Sequence, residues 1–130
     1  MMKFRCISNN PMIVGRIPDT EYLPNCTLDL YMKVRAEILN GYKLLSHPLS
    51  SSIRPDISPY KTVLISEKMG NEVDSFSLQL IDRAIRYTAD LYALRDTPAY
   101  LCWNEEAKKD FQIVDLSIVE QALEVGSYSE

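Results

Sequence analysis

The sequence predicts one α/β domain over residues 1–130, with a frayed tail at 127–130. The expected fold has three layers, with a small, mainly parallel sheet of three to four strands flanked by helices. Three observations support this prediction. The length of 130 residues is near the commonest domain size. The apolar fraction of 46% and the charged fraction of 25% are ordinary for a globular protein. Short apolar runs also alternate with segments of helical period, which favours a parallel sheet covered by helices.

The N-terminal segment predicts a strand, a short helix and an edge strand, in that order. The strand covers Phe4 to Ser8 and ends at Asn9-Asn10-Pro11, because asparagine caps helices and proline suits the first helical position. The helix is expected over Met12 to Arg16. The edge strand is expected over Glu21 to Leu23 and is closed by Pro24.

The middle of the chain predicts one amphipathic helix and two strands. The helix begins near Thr27, a good N-cap residue, and ends at Asn40-Gly41. Its apolar residues recur at the spacing of one helical face: Leu30, Tyr31, Val34 and Ile38. Tyr42 to Leu45 is the first of the two strands. The second is the continuous apolar run Thr62 to Ile65, which is typical of a strand buried on both faces.

The C-terminal part predicts three more helices. Asp74 or Ser75 caps a long helix that runs to about Arg95. Its stripe comprises Leu78, Ile81, Ile85, Thr88 and Tyr92. A second helix is expected from Thr97-Pro98 through Lys109, although the start of this segment is also compatible with a short strand. Asp115 then caps a final helix that Gly126 ends.

Charge, cysteine and glycine content exclude several classes of function. The net charge is −4 and the basic residues form no clustered face, so no nucleic-acid partner is expected. Cys6, Cys26 and Cys102 are scattered and odd in number, which predicts reduced thiols rather than a disulfide framework. With 4 glycines and a single histidine, the chain has neither a phosphate-binding glycine loop nor a metal-ligand pattern. No cofactor is therefore expected.

The expected cellular location follows from the lack of a signal-peptide pattern and of a membrane-spanning segment in the sequence. The positive N-terminus is not followed by the apolar region of a signal peptide, because Ser8-Asn9-Asn10-Pro11 interrupts it. No apolar run approaches the length of a membrane span. The sequence therefore predicts a cytoplasmic protein with no membrane partner.

Two strand ends are the expected location of a functional site. If the strands that end at Ser8 and Leu45 are parallel neighbours, the segments after them meet at the edge where open α/β sheets bind ligands. A helix starting near Pro11 would add backbone N–H groups that favour an anion. The candidate ligand-binding residues are Asn9, Asn10, His47, Ser50, Ser51, Ser52 and Arg54.

The connection from Ser46 to Tyr60 is the most unusual segment of the sequence. It is long for a compact domain, shows no clear element of its own, and is restricted by three prolines. Its first half, His47 to Arg54, is the predicted working end. Its second half is expected only to guide the chain into the next strand. A loop that merely crosses the sheet edge, anchored by its apolar side chains, is an equally good interpretation.

His47 and Arg54 each have two interpretations. His47 is the candidate catalytic residue, because a histidine titrates near neutral pH and a neighbouring serine could act as a nucleophile. No Gly-x-Ser-x-Gly turn accompanies it, so a structural or ligand-contacting histidine is favoured. Arg54 could hold a carboxylate or phosphate. A surface pair with Asp56 is the favoured alternative.

Several segments resemble the GrdX family, small proteins found with the glycine, sarcosine and betaine reductase systems of anaerobes. The similar segments are Ser8 to Pro11, Gly41 to Pro55, Ser58 to Lys61, and Asp110 to Leu116. The most specific part is the His-Pro-Leu segment with the Ser-Ile-Arg-Pro that follows. One departure is Ser51, where the family pattern has glycine. The resemblance implies an accessory role near a selenoprotein reductase but gives no reaction.

The functional prediction combines these observations. The protein is expected to be an accessory protein that binds a reductase-complex protein or a small anionic ligand at the C-terminal edge of the sheet. The alternative is a small hydrolase or transferase that uses His47 with a neighbouring serine. A homodimer is a third possibility, because a sheet of three or four strands leaves its edges exposed.

Overall fold

The computed structural model describes residues 3–49, 53–68 and 70–126. Within these residues the chain forms a mixed three-stranded sheet and three α-helices. The elements are β1 (Phe4–Ser8), β2 (Thr20–Tyr22), α1 (Thr27–Leu39), β3 (Thr62–Ser66), α2 (Ser75–Tyr92), a 3-10 helix (Ala99–Leu101) and α3 (Glu105–Gly126). In this part of the chain, no helix combines the length and apolar character that crossing a bilayer would need.

The strand order is β2-β1-β3, with β1 parallel to β2 and antiparallel to β3. The prediction of an α/β fold is confirmed, but the sheet is mixed rather than mainly parallel. The cause lies in the connection before β3. The segment around Leu44 runs antiparallel to β3, and the chain then reaches β3 through the long loop, whose described residues 46–49 and 53–60 form no helix. Parallel neighbours require such a crossover, whereas a turning loop produces an antiparallel pair. The three-layer arrangement stays a prediction.

The predicted strand Tyr42 to Leu45 is reduced to one isolated bridge between Leu44 and Ile65. Leu45 N–H still donates to the Leu64 carbonyl at 2.9 Å, so this segment lies along the outer edge of β3. It therefore runs in the same direction as β1, with β3 between the two. The condition that the two strands are direct neighbours is therefore not met, although both segments run towards the same end of the sheet.

The N-terminal strand and the buried face of α1 confirm their sequence predictions, but the N-cap of α1 is Cys26 rather than Thr27. The buried residues of α1 are Thr27, Leu30, Tyr31, Val34 and Ile38. The edge strand β2 begins one residue earlier than expected, at Thr20. The helix expected over Met12 to Arg16 is instead a series of turns, in which Ile13 N–H donates to the Asn10 carbonyl at 3.1 Å.

The helices of the C-terminal part divide into one confirmed prediction and one correction. Asp74 is the N-cap of α2, and its carboxylate accepts the Ser77 N–H at 3.0 Å. The helix expected from Thr97-Pro98 through Lys109 begins only at Glu105, and it continues without a break through the helix expected from Asp115, forming α3. No glycine or proline interrupts the chain between Glu105 and Gly126. Asp115 is therefore a buried residue within α3 rather than its N-cap.

The core divides into two clusters because side chains alternate between the two faces of the strands. On one face, Ile7, Val63 and Ile65 pack with α1 and α2. On the other face, Phe4, Cys6 and Leu64 pack with residues of α3 and with Ile13 and Ile17. Burial raises the pKa of the Cys6 thiol to about 12, which fits its interpretation as a small buried apolar residue. Where β1 ends and β3 begins, the core gives way to buried polar side chains.

Candidate functional site

A chain of three buried side chains joins the end of β1, the start of β3 and the middle of α3. Ser8 and Thr62 face each other across the two strands, and their hydroxyl oxygens are 2.7 Å apart. Thr62 Oγ1 donates to Asp115 Oδ2 at 2.7 Å. Because Thr62 has only one hydroxyl proton, Ser8 must donate to Thr62. We refer to Ser8, Thr62 and Asp115 as the hydroxyl relay.

Asn10 completes the relay from the loop after β1. Its backbone N–H donates to Ser8 Oγ at 3.0 Å. Its side-chain amide Nδ2 donates to Asp115 Oδ2 and to the Gln112 carbonyl, both at 3.0 Å. Its Oδ1 accepts the Met12 N–H at 2.9 Å. Asn10 is fully buried, so these bonds fasten α3 to the sheet.

The side chain of Asn9 also links separate segments of the chain through hydrogen bonds. Its Oδ1 accepts the Lys61 N–H at 2.7 Å. Its Nδ2 donates to the Asn25 and Pro59 carbonyls at 2.9 and 3.2 Å. Asn9 thus ties the segment before α1 and the end of the long loop to β1. Its side chain fixes the backbone position of Lys61.

Asp115 is the acidic group of this region. Burial raises the pKa of its carboxyl group, because water no longer solvates the charged form. Hydrogen bonds from Thr62 and Asn10 and the charge of Lys61 oppose this rise. The carboxyl group therefore holds a proton more readily than an exposed aspartate does.

A cavity of about 240 Å³ lies beside the relay, between the long loop and the three helices. Its lining comprises Thr27, Tyr31, Pro48, Leu49, Ile53, Arg54, Pro55, Ser58, Tyr60, Lys61, Tyr87, Phe111, Val114, Asp115 and Ile118. Both halves of the long loop contribute to it. The second half therefore forms part of a cavity wall, in addition to leading the chain into β3.

Lys61 supplies a buried cation to the lining, and only 8% of its surface is exposed. Among the residues that the structure describes, its ammonium group forms neither a hydrogen bond within 3.5 Å nor an ion pair within 4.0 Å. Burial lowers the pKa of Lys61, and the charge of Asp115 opposes this effect. The Lys61 nitrogen is not one of the fully enclosed polar atoms without a partner, so it keeps some accessible surface although the residue as a whole is buried.

The remaining wall of the cavity is aromatic and aliphatic. Tyr31 donates its hydroxyl to the Pro48 carbonyl, which fastens the first half of the loop to α1. The Tyr60 hydroxyl accepts a hydrogen bond from Gln112 Nε2 at 3.0 Å, which joins the loop to α3. Phe111 adds an apolar surface. The cavity thus combines apolar walls with one amine and one carboxyl group.

The predicted site residues do not all lie at the cavity. Asn9 and Asn10 lie at the end of β1 as expected, but their side-chain amides already bond to the protein. His47 is exposed, and its Nδ1 accepts the Leu49 N–H at 3.0 Å. His47 is not among the residues that line the cavity. The predicted residues Ser50, Ser51 and Ser52 lie outside the described part of the chain.

Arg54 lies at the cavity and forms the ion pair with Asp56 that the sequence favoured. The Nε and Nη2 atoms of Arg54 contact the two carboxylate oxygens of Asp56 at 3.1 and 2.8 Å. Asp56 raises the pKa of Arg54 through these hydrogen bonds. Since Asp56 is buried and Arg54 is half exposed, the pair holds the turn after Arg54 at the edge of the cavity.

Sequence reasoning missed the two titratable groups that the cavity brings together. Lys61 precedes a strand of five buried residues, where a charged side chain at the boundary gives only a weak signal. Asp115 matched the pattern of a helix cap. Both residues do lie in segments that resemble the GrdX family, Ser58 to Lys61 and Asp110 to Leu116. That resemblance was the available signal, but it carried no residue roles.

Comparison with known proteins supports the same family. No curated protein and no solved structure matches the chain. A family model described as GrdX-like protein matches residues 5–124, which include Asn9, Asn10, the long loop, Lys61 and Asp115. This match spans both strands of the relay and nearly all of α3. The chain therefore belongs to the family of GrdX-like proteins.

Proposed function

We propose that this GrdX-like protein is a cytoplasmic accessory protein of a glycine-reductase-type system, and that it binds a small anionic ligand in the cavity beside Lys61. The family supports the accessory role only in general terms. The proposal for a ligand rests on the geometry of the cavity. In this proposal the main ligand-binding group is Lys61, rather than the side-chain amides of Asn9 and Asn10 or the imidazole of His47.

The observation that carries the proposal is that Lys61 is largely buried at the cavity, while no carboxylate of the described residues lies within 4.0 Å of its nitrogen. Removing an ion from water costs several kcal/mol unless a partner of opposite charge is supplied. Asp115 lies in the same lining but is not within 4.0 Å of the Lys61 nitrogen. Its Oδ2 already accepts hydrogen bonds from Thr62 and Asn10. A ligand carboxylate would supply the missing counter-charge to Lys61.

The size of the cavity restricts the ligand. A volume of about 240 Å³ is below the range of roughly 300–1,000 Å³ that is typical for drug-sized ligands. The apolar walls, including Phe111 and Val114, suit a short carbon chain or a small ring. A carboxylate of a few carbon atoms therefore fits better than a nucleotide or a peptide. Arg54 lines the edge of the cavity, but its charge is paired with that of Asp56.

Thermal unfolding with small carboxylates tests the proposal. Propionate is expected to raise the melting temperature, whereas the neutral amide propionamide of similar shape is not. At a ligand concentration of about 100 times Kd, binding to the folded state adds about 2.7 kcal/mol to the free energy of unfolding.

A pair of lysine variants identifies the responsible group. Lys61→Met is expected to abolish the propionate effect while the variant stays folded, because methionine preserves an unbranched chain and removes the buried charge. Lys109→Met is the matched control, since Lys109 is exposed on α3 and does not line the cavity. Equal propionate effects in wild type and Lys61→Met would disprove the assignment, as would no effect in wild type.

A further inference from the structure

We propose that Lys61 binds a ligand that carries a carbonyl group next to its carboxylate, and holds it as a reversible imine. This inference rests on the proposed function, because the same cavity and the same lysine are used. It extends that function by naming the ligand class as small 2-oxo acids. The anion-binding proposal requires only a charge at Lys61, whereas this one requires a nucleophilic amine.

The surroundings of Lys61 make its ammonium group lose a proton more readily, so the cation that pairs with a carboxylate can also supply the neutral amine. Its side chain is nine-tenths buried against apolar and aromatic walls, and these disfavour an ammonium ion. In the described residues no acceptor lies within hydrogen-bonding distance to stabilise the charged form. Lysines in such environments are the ones that form Schiff bases with carbonyl compounds.

Asp115 provides the second group that imine formation requires. Its buried carboxyl group lines the same cavity and has a raised pKa. Its carboxyl group therefore holds and returns a proton more readily than the carboxyl group of an ordinary aspartate. Thr62 and Asn10 hold its Oδ2 in place through hydrogen bonds of 2.7 and 3.0 Å. The carboxyl group is thus fixed relative to the cavity.

The chemistry balances without a cofactor. The neutral Lys61 nitrogen attacks the carbonyl carbon, the C–N bond forms, and the π electrons of the carbonyl move to its oxygen. One nitrogen-bound proton passes to that oxygen through Asp115 and gives a carbinolamine. The second nitrogen-bound proton leaves with the hydroxyl group as water, and the C=N double bond forms. No atom is oxidised or reduced, and addition of water reverses every step.

Reductive trapping with glyoxylate tests this inference. Glyoxylate is the smallest 2-oxo acid, and cyanoborohydride reduces its imine to a stable secondary amine. Wild-type protein is expected to gain the mass of one carboxymethyl group at neutral pH. Peptide mapping is expected to locate that group on Lys61, because the exposed lysines are protonated at this pH. Glycolate, which has no carbonyl group, is expected to give no adduct.

Two variants separate this inference from the anion-binding proposal. Lys61→Arg keeps a cation but removes the reactive amine, so it is expected to lose the adduct entirely. Lys109→Met is expected to be labelled like wild type. An adduct spread evenly over the exposed lysines, or none at all, would overturn the imine.

The outcomes distinguish the two proposals. A propionate effect without trapping at Lys61 leaves anion binding intact and refutes the imine. Trapping at Lys61 without a propionate effect supports the imine and refutes simple carboxylate binding. If neither occurs in folded wild-type protein, both proposals fail.

Discussion

Replacing Asn10 by alanine tests how α3 is held to the sheet. The side chain of Asn10 makes three hydrogen bonds, one with the Met12 N–H, one with the Gln112 carbonyl and one with the Asp115 carboxyl group. Asn10→Ala removes all three and leaves three buried or part-buried polar groups without this partner. Water cannot readily take the place of the missing amide, because Asn10 itself is fully buried.

The expected loss follows from the type of each bond. A hydrogen bond between neutral groups contributes about 1 kcal/mol, and one to a charged group about 2 kcal/mol. Two neutral bonds and one to a carboxylate give a loss of about 4 kcal/mol in the free energy of unfolding. Since domains of this kind are stable by roughly 5–15 kcal/mol, the variant should be markedly less stable.

Urea unfolding followed by circular dichroism measures this loss. The midpoint is expected to fall while the slope m stays unchanged, because the surface exposed on unfolding is nearly the same. Asn71→Ala is the control, because Asn71 is exposed in the segment before α2, and its effect should be within about 0.5 kcal/mol. A loss below about 1 kcal/mol for Asn10→Ala would refute the view that these bonds fasten α3.

Two further predictions concern pH and backbone geometry. The stability contributed by the protonated Asp115 carboxyl group is present below its unfolded-state pKa of 3.8 and is lost as the pH rises through its raised folded-state pKa. The stability of wild type minus that of Asp115→Asn should therefore fall over this pH range in urea titrations, and a difference independent of pH would contradict the prediction. Gly41→Ala should lower the free energy of unfolding by about 2 kcal/mol or more, because Gly41 has a φ of 102° and a Cβ there would lie 2.0 Å from the Gly70 carbonyl oxygen. Gly15→Ala, with a φ of 85° but open space around its Cβ, should cost less, and equal losses would show that the contact with Gly70 is unimportant.

The elements that were predicted well are those whose pattern is local. The apolar residues of α1 recur every three or four positions, and this spacing alone defines a buried face. The five residues of β3 are all buried, as a continuous apolar run indicates. The Asp74 cap of α2 also follows from local chemistry, since its carboxylate bonds three residues ahead.

The direction of β3 relative to β1 could not be predicted from a local sequence pattern. A strand buried on both faces looks the same whether it runs parallel or antiparallel to its neighbour. The long loop allows either entry, because its closure entropy depends only weakly on its length. The pairing of Leu45 with Leu64 decides the matter, and it depends on tertiary contacts beyond any short window of sequence.

The residues of the candidate site were only partly identified from the sequence. Arg54 of the long loop lines the cavity and Asn9 binds the end of that loop, but their role in binding a ligand stays a prediction. Asp115 was misjudged because aspartate is a common helix cap, whereas its partners Asn10 and Thr62 are 105 and 53 residues away. Lys61 was overlooked because a lysine beside a strand is usually solvated. Burial alone distinguishes these two residues, and burial is a property of the whole fold.

The hydroxyl relay also has a consequence for the order in which the protein matures. Ser8, Thr62 and Asp115 come from the beginning, the middle and the last part of the chain. A growing chain therefore contains all three only after Asp115 has been added. During synthesis, β1 and β3 can pair before α3 has left the ribosome, but the cavity then lacks the wall that α3 provides. If the cavity binds a ligand as proposed, binding would therefore have to follow the docking of α3, and a bound ligand would mark a chain that has finished folding.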